Sequence, residues 1–113
     1  MRFLKFLFVD EKTIESGATA KVTWTSDDDY IIKYIFAIDK DEASLAKVRA
    51  TIAIQKDYIT EDYVPLKLLG SDKFTGFEID RTITKGETLS IDIKNEDTTS
   101  HTIMFVLGLY TPS

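Results

Sequence analysis

Three strand-like segments of this 113-residue chain carry apolar side chains on both faces, and this pattern constrains the fold more than any other feature. The segments are residues 2–9, 30–38 and 103–110. Successive side chains of an antiparallel strand point to opposite faces, so a strand with one wet face alternates apolar and polar residues. These three segments do not alternate. We therefore expect both of their faces to be covered.

Most of the remaining chain has a clean period of two. Val22 and Trp24 share one face of a strand, while Lys21 and Thr23 share the other. Similar alternation predicts strands within residues 48–55, 77–84 and 89–94. The chain is therefore expected to form one domain, residues 1–113, with an all-β fold. We predict a two-sheet antiparallel β-sandwich of jelly-roll or Greek-key type with about seven or eight strands, an immunoglobulin-like topology being the alternative.

The longest connection between predicted strands covers residues 57–75. We expect a short helical turn within it, and another within residues 41–47, where Ala43 and Leu45 favour helix. The connection also holds apolar residues that would be suited to cover the outer side of a doubly apolar strand. They are Val64, Leu66, Leu68 and Leu69.

Composition and charge exclude several classes of function. The net charge is −5 and the basic residues are scattered, so the chain has no basic patch for nucleic acid. Cysteine is absent, which excludes disulfides, thiol catalysis and thiolate metal sites. No run approaches the roughly 20 apolar residues of a membrane-spanning helix. The apolar start ends at Asp10 with no small-residue cleavage site after it, so we expect a first strand and not a signal peptide.

The polar residues show few features of a catalytic or metal-binding site. His101 is the only histidine, and neither Ser90 nor Ser100 lies in a nucleophile-elbow motif. The acidic segments 27–29 and 39–42 offer oxygen ligands for calcium, but neither matches an EF-hand loop, and solvated turn residues are the commoner explanation. We therefore predict a protein that is not an enzyme and has no cofactor or metal.

One stretch, residues 83–102, resembles the part of cupredoxins in which a strand and an Asn-x-Asp sequence precede a histidine. Here these residues are Asn95, Asp97 and His101. The resemblance implies that His101 would be a copper ligand, which requires it to be accessible to solvent beside a second ligand such as Met104. The cysteine and the second histidine of that family have no counterpart in this chain, and a type-1 copper site needs both. A cupredoxin-like domain without such a site therefore stays as one alternative.

One row of each doubly apolar segment must reach the core, and the other needs a partner, because monomers rarely expose large contiguous apolar patches. In the second segment, the pattern predicts that Tyr30 and Ile32 share a face with Tyr34, Phe36 and Ile38. The sequence therefore predicts a homo-oligomer, or docking onto other structural proteins of a larger assembly. The candidate interface residues are Phe3, Phe6, Phe8, Tyr30, Tyr34, Phe36, Met104, Val106 and Tyr110.

The hairpin over residues 83–95 and the closing strand that ends Leu107-Gly108-Leu109-Tyr110 resemble small single jelly-roll structural proteins of viruses and phages. That resemblance implies a capsid, turret or decoration subunit located in a virion. The scarcity of amide side chains, one Asn and one Gln, suggests a thermophilic source. The other alternative is a carbohydrate- or ligand-binding sandwich that uses the aromatic residues Tyr58, Tyr63 and Phe74 of the long connection.

Overall fold

The computed structural model describes residues 4–60, 62–70 and 78–111. Within these ranges lie nine β-strands and one short 3₁₀ helix, so the all-β prediction is confirmed. The strands are β1 (Leu4–Ile14), β2 (Thr19–Thr25), β3 (Tyr30–Asp39), β4 (Val48–Ile54), β5 (Asp57–Tyr58), β6 (Val64–Pro65), β7 (Arg81–Ile83), β8 (Thr88–Asn95) and β9 (His101–Tyr110). The count exceeds the predicted seven or eight because the two-residue strands β5 and β6 lie within the predicted connection.

The strands form two antiparallel sheets. Sheet 1 has the order β1-β9-β3-β7, and sheet 2 has the order β2-β8-β4-β5, with β6 also paired to β4. The first strand thus pairs with the last, β2 with β8, β3 with β7 and β4 with β5, as in one long hairpin rolled into two layers. This nested pairing is the jelly-roll arrangement. The predicted two-sheet sandwich is confirmed.

The core lies between the two sheets and is almost entirely aliphatic. Central strands provide most of it, with Ile35 of β3, Ile91 of β8 and Phe105 of β9 all essentially inaccessible to solvent. Leu66 and Leu69 of the 3₁₀ helix (Leu66–Leu69) also join this core, whereas Leu68 between them is exposed. The connection therefore helps to fill the space between the sheets, and the expectation that Leu66 and Leu69 cover an outer face is wrong.

Helical structure is confined, among the described residues, to this one turn. The prediction of a helical turn in the connection is confirmed, but the one within residues 41–47 is wrong. The carboxylate of Asp39 accepts hydrogen bonds from the backbone amides of Asp41 and Ala43, and Glu42 has a left-handed backbone with φ of 61°. These contacts fold the segment as a turn. No helix in the described ranges has the length and apolar character needed to cross a bilayer.

Two strands differ in extent from their predictions. β1 continues through the charged residues 10–12 to Ile14, and its pairing with β9 shifts register at Val9. A shift of this kind is a β-bulge, in which one extra residue re-aims the side chains that follow. β7 is only three residues long, since Asp80 before it has φ of 51°. Phe77, predicted to begin this strand, lies outside the described residues.

Candidate functional site

The outer faces of the two sheets differ in chemistry. The outer face of sheet 2 is polar. Among the residues that its three longer strands, β2, β8 and β4, place on this face, Ala53 is the apolar one. The polar members are Thr19, Lys21, Thr23, Thr25, Arg49, Thr51, Thr88, Ser90, Asp92 and Lys94. The hydroxyls of Thr25 and Thr88 lie 2.9 Å apart, and Lys21 pairs with Asp92 at 3.9 Å. This is the composition expected of a solvated face.

The outer face of sheet 1 is apolar over most of its length. Register sets Phe6, Gly108 and Tyr34 side by side across β1, β9 and β3. None of the three belongs to the core between the sheets. We define the outer apolar face as Leu4, Phe6, Phe8, Ile31, Tyr34, Phe36, Ile38, Met104, Val106, Gly108 and Tyr110.

Aromatic rings form the centre of the outer apolar face. The ring of Phe36 stacks on Tyr34 with centroids 5.1 Å apart and on Phe6 with centroids 6.1 Å apart. Gly108 lies beneath these rings, since a Cβ atom there would be 3.0 Å from Tyr34 Cδ2 and 3.5 Å from Phe6 Cε1. The absence of a side chain at Gly108 therefore allows rings from two different strands to meet above β9.

The outer apolar face is open on the β1 side and closed on the β3 side. Phe6 and Phe8 are 56% and 57% exposed, whereas Tyr34 and Phe36 are 8% and 3% exposed. Next to Tyr34, Lys33 binds Glu78 at 3.0 Å and Asp80 at 3.1 Å. Hydrogen bonds to those two carboxylates raise the pKa of Lys33. The exposed apolar surface is thus concentrated on β1.

Seven of the nine predicted interface residues lie on the outer apolar face. They are Phe6, Phe8, Tyr34, Phe36, Met104, Val106 and Tyr110. Phe3 lies outside the described residues. Tyr30 was predicted to share the face of Tyr34, and this is wrong: the β3–β9 register shifts at Lys33, which turns Tyr30 and Ile32 into the core. The hydroxyl of Tyr30 instead accepts a hydrogen bond from Lys5 Nζ at 2.9 Å.

A buried polar cluster that the sequence did not predict lies at one end of the sandwich. His101 Nδ1 is 2.6 Å from Asp39 Oδ2, and His101 Nε2 is 2.8 Å from Asp97 Oδ2. The side chains of His101 and Asp39 are 2% and 3% exposed. An ionised carboxylate only accepts hydrogen bonds, so with Asp39 and Asp97 both ionised the two ring nitrogens donate and the ring is an imidazolium. The cluster joins the end of β3 to the start of β9 and to the β8–β9 turn.

The ionisation of the cluster follows from these contacts. Burial alone would lower the pKa of His101, but the hydrogen bonds to Asp39 and Asp97 raise it above its ordinary value. Burial would raise the pKa of Asp39, yet His101 and the amides of Asp41 and Ala43 bring it below the usual value. The hydrogen bond from His101 likewise lowers the pKa of Asp97. Each of the three pKa shifts favours the charged form of its group.

Asn95 extends the cluster into the core. Its side chain is fully buried, and its Nδ2 donates to the carbonyl oxygens of Ile14 and Thr99, both at 2.9 Å. Its Oδ1 accepts from the backbone amide of Asp97 at 2.9 Å. The Asn-x-Asp sequence therefore builds the turn that places Asp97 against His101.

These contacts bear on the chemistry considered for His101. A copper ion needs a free ring nitrogen, and a serine nucleophile needs one to accept its proton, but both nitrogens of His101 are occupied by carboxylates. Met104 lies on the opposite face of β9 from His101. Across the ranges that the structure describes, no group of three histidine or acidic side chains is arranged to hold a metal ion.

The acidic segment 27–29 serves the turn between β2 and β3. Asp29 Oδ1 accepts a hydrogen bond from the backbone amide of Lys85 at 2.9 Å. Asp28 Oδ1 accepts one from the amide of Asp29 at 2.8 Å. Asp side chains that bond nearby backbone amides in this way are common in turns.

Comparison of the chain with known protein families, curated proteins and solved structures gives no match. A fold alone does not assign a function, because one architecture hosts many unrelated activities. The function therefore has to be inferred from the chemistry of the outer faces and of the buried cluster.

Proposed function

We propose that this protein is a non-enzymatic assembly subunit that self-associates through the outer apolar face, and that it belongs to a virion as a capsid-associated jelly-roll protein. The observation that carries the proposal is the contrast between the two sheets. Sheet 2 has a polar outer face, whereas sheet 1 presents Phe6 and Phe8 to solvent beside the row of β9 that contains Met104 and Val106.

The energetic argument rests on the exposed aromatic residues. Burying an apolar side chain of this size contributes about 1.5–3 kcal/mol relative to leaving it in water. Phe6 and Phe8 are both more than half exposed and are neighbours in the same row. Monomeric proteins rarely keep such a contiguous apolar surface uncovered. Covering it with another subunit removes the cost of exposing it.

Polar pairs border one end of the outer apolar face. Lys40 lies 3.7 Å from Glu11, and the hydroxyls of Thr13 and Thr102 are 2.9 Å apart. An apolar centre with a polar rim is the usual composition of a protein interface. This arrangement supports the proposal because it gives the contact surface a defined border.

The virion role is supported by the strand order together with the sequence resemblance described above. Jelly rolls of this order form viral capsid subunits, but they also form lectin domains. A subunit of a shell needs contact surfaces and no catalytic site.

Molar mass in solution tests the self-association. Val106 and Ser90 are a matched pair, since each is half-buried on the outer row of a central strand, in sheet 1 and sheet 2 respectively. We expect the unmodified protein and Ser90→Glu to form the same oligomer by size exclusion with light scattering, and Val106→Glu to be a folded monomer. A monomeric unmodified protein, or equal association of the two variants, would overturn the proposal.

Electron microscopy of concentrated protein tests the virion role separately. We expect closed shells, rings or a regular lattice whose repeat matches the oligomer in solution. A discrete small oligomer that never assembles further would leave self-association in place and would contradict the shell role.

A ligand-binding module is the second candidate, and a cleft beside the end of β3 favours it. The cleft is about 610 Å³ in volume and is lined by Ile38, Glu42, Ser44, Leu45 and Lys67, among others. Ligand sites commonly have such a volume and such a mixture of apolar and polar groups. Screening of glycans by NMR tests this candidate. Chemical-shift changes that cluster around the cleft of a monomeric protein, and that are weaker in Lys67→Ala, would support it.

A further inference from the structure

The free edges of the two sheets differ in how well they are protected against pairing with another chain. The far edge of sheet 1 is formed by β7, which has only three residues. The part of β3 that extends past β7 makes backbone hydrogen bonds with Ile79 and Gly70. On the far side of sheet 2, β5 and β6 have two residues each. Very short edge strands of this kind are a common protection against edge-to-edge association.

The other two edges, β1 and β2, are long. Within the described ranges, no strand pairs with the outer edge of either one. β2 has seven residues, and its outward row is polar, with Lys21 at its centre. β1 has eleven residues, and its outward row begins with Leu4, Phe6 and Phe8. Of the two, β1 is therefore the edge that favours contact with another chain.

Protection of β1 is confined to its second half. The bulge at Val9 and the charges of Asp10, Glu11 and Lys12 interrupt regular pairing there. Bulges and charged residues both discourage the addition of a further strand. The first half, residues 4–8, is regular, contains no proline and has Lys5 as its one charged residue. Among the residues that the structure describes, an apolar edge of five residues is left without a bulge or a covering strand.

We propose that this edge pairs with the same edge of a second copy of the chain, antiparallel about a two-fold axis through Leu7. The inference rests on the proposed function and names the contact by which two subunits join. Two-fold symmetry makes such an interface self-complementary, so no other partner sequence is needed. The two four-stranded sheets would become one continuous sheet of eight strands.

Charge complementarity favours the antiparallel arrangement. Lys5 and Asp10 project on the same side of β1, because they pair with Leu109 and Phe105 of the inward row of β9. Antiparallel pairing about Leu7 sets Lys5 of one copy opposite the Val9–Asp10 bulge of the other, and so beside Asp10. Parallel pairing would instead set Lys5 against Lys5, and like charges directly opposite each other destabilise a sheet.

The pleat restricts the register further. Phe6 and Phe8 must stay on the outer side in both copies, because a slip of one residue moves a whole row to the other face. A register that sets Lys5 opposite Lys5 is excluded by repulsion. With Leu7 on the axis, Phe6 of each copy lies opposite Phe8 of the other. Cross-strand aromatic pairs of this kind stabilise a sheet, and they would cover the two most exposed rings of the outer apolar face.

Disulfide cross-linking tests the pairing, and the chain is suited to it because it contains no cysteine. One chain carries Phe6→Cys and a second, differently tagged chain carries Phe8→Cys; the two are mixed and oxidised. The matched control is Thr23→Cys, which lies on the other long edge strand, β2, and is oxidised in the same way. We expect the mixed disulfide to form roughly 100-fold faster than the control dimer, because the paired thiols are at an effective concentration in the millimolar range. Equal rates would overturn the proposal.

Spin labels at Glu11 give a measurement that leaves both phenylalanines in place. The two labels of a dimer paired about Leu7 should be about 25 Å apart, given roughly 3.4 Å per residue along an antiparallel strand. A distance distribution without this peak in an associated sample would overturn the edge pairing.

The two proposals can fail separately. Suppose that Val106→Glu, in a chain that keeps Phe6 and Phe8, is monomeric, and that the cysteine variants cross-link no faster than the Thr23→Cys control. The outer apolar face is then the interface, and the edge pairing is wrong. If cross-linking at Phe6 and Phe8 is fast and persists in Val106→Glu, the edge pairing stands and the face is not needed for self-association.

Discussion

The ring of Phe6 on β1 stacks on the ring of Phe36 on β3, although a whole strand, β9, lies between their backbones. The contact forms above Gly108, the residue of β9 that is paired with Phe6 on one side and with Tyr34 on the other. One residue without a side chain therefore couples three strands through aromatic contacts on the outer face. The same arrangement covers Phe36 and leaves Phe6 partly exposed.

Substitution of Gly108 by alanine should destabilise the domain. The new Cβ atom would meet Tyr34 at 3.0 Å, and moving that ring also disturbs its stack on Phe36. Overpacking of this kind costs about 1–3 kcal/mol. Urea unfolding of Gly108→Ala beside Ser90→Ala measures the difference. A gain in stability would show that the rings yield without cost and that the space above Gly108 is not tightly filled.

The outer apolar face could be predicted from sequence wherever the strand is regular. In β9, the period of two holds from end to end, so Met104, Val106 and Tyr110 fall in one row as expected. In β3, the period fails at Lys33, where a register shift turns Tyr30 to the other side. A bulge depends on pairing with a neighbouring strand, and the local pattern of apolar residues does not record it.

The cluster around His101 could be predicted only in part. Asn95, Asp97 and His101 are close in sequence, and their spacing indicates a shared site, although it resembles a copper site and not a buried ion pair. Asp39 is separated from His101 by 62 positions, and only the pairing of β3 with β9 brings them together. One signal was present: Asp39 is the acidic residue of an otherwise apolar inward row of β3, and a buried acid requires a partner.

Replacement of His101 by glutamine should be strongly destabilising. It removes the positive charge between Asp39 and Asp97 and leaves the buried carboxylate of Asp39 without an ionic partner. Breaking a buried ion pair from one side costs about 3–5 kcal/mol. Chemical unfolding of His101→Gln, Asp39→Asn and the double variant forms a cycle. We expect the double variant to be more stable than the sum of the single losses, and strict additivity would show that the two residues do not interact.

The stability of the protein should depend on pH through the same cluster. The pKa of His101 is raised above its ordinary value of 6.5, so the stability it contributes is complete below pH 6.5 and is lost as the pH rises through the folded-state pKa. The pKa values of Asp39 and Asp97 lie below 3.8, so their contribution is present above pH 3.8 and is lost as the pH falls through the folded-state values.

The expected profile therefore has its maximum between about pH 4 and pH 6.5 for this cluster, with declines on both sides. The free energy of unfolding is measured from acidic to alkaline pH for the unmodified protein and for His101→Gln. At each pH, the difference between the two proteins gives the contribution of the charged cluster to stability. The difference should shrink at alkaline pH and at strongly acidic pH. A difference that does not change with pH would contradict an imidazolium held between two carboxylates.

Removal of the Asn95 amide should weaken the closure of the sandwich at this end. Asn95→Ala leaves the carbonyls of Ile14 and Thr99 and the amide of Asp97 without their side-chain partner. An unsatisfied buried polar group costs about 1–3 kcal/mol, and we expect a loss at the upper end of this range. Thermal unfolding with Lys94→Ala, an exposed neighbour, as the control provides the comparison. Similar melting temperatures for the two variants would show that water replaces the amide.

Charge introduced at two positions of the outer apolar face should have different effects. Phe6 is more than half exposed, so Phe6→Glu is expected to fold with near-normal stability and to lose self-association. Tyr34 is 8% exposed and is stacked on Phe36, so Tyr34→Glu buries a carboxylate beside Glu78 and should unfold the domain. Circular dichroism with light scattering separates the outcomes. If Phe6→Glu remains oligomeric while folded, association does not use the β1 side of this face; if Tyr34→Glu is a stable monomer, the β3 side is open in solution and belongs to the same contact surface.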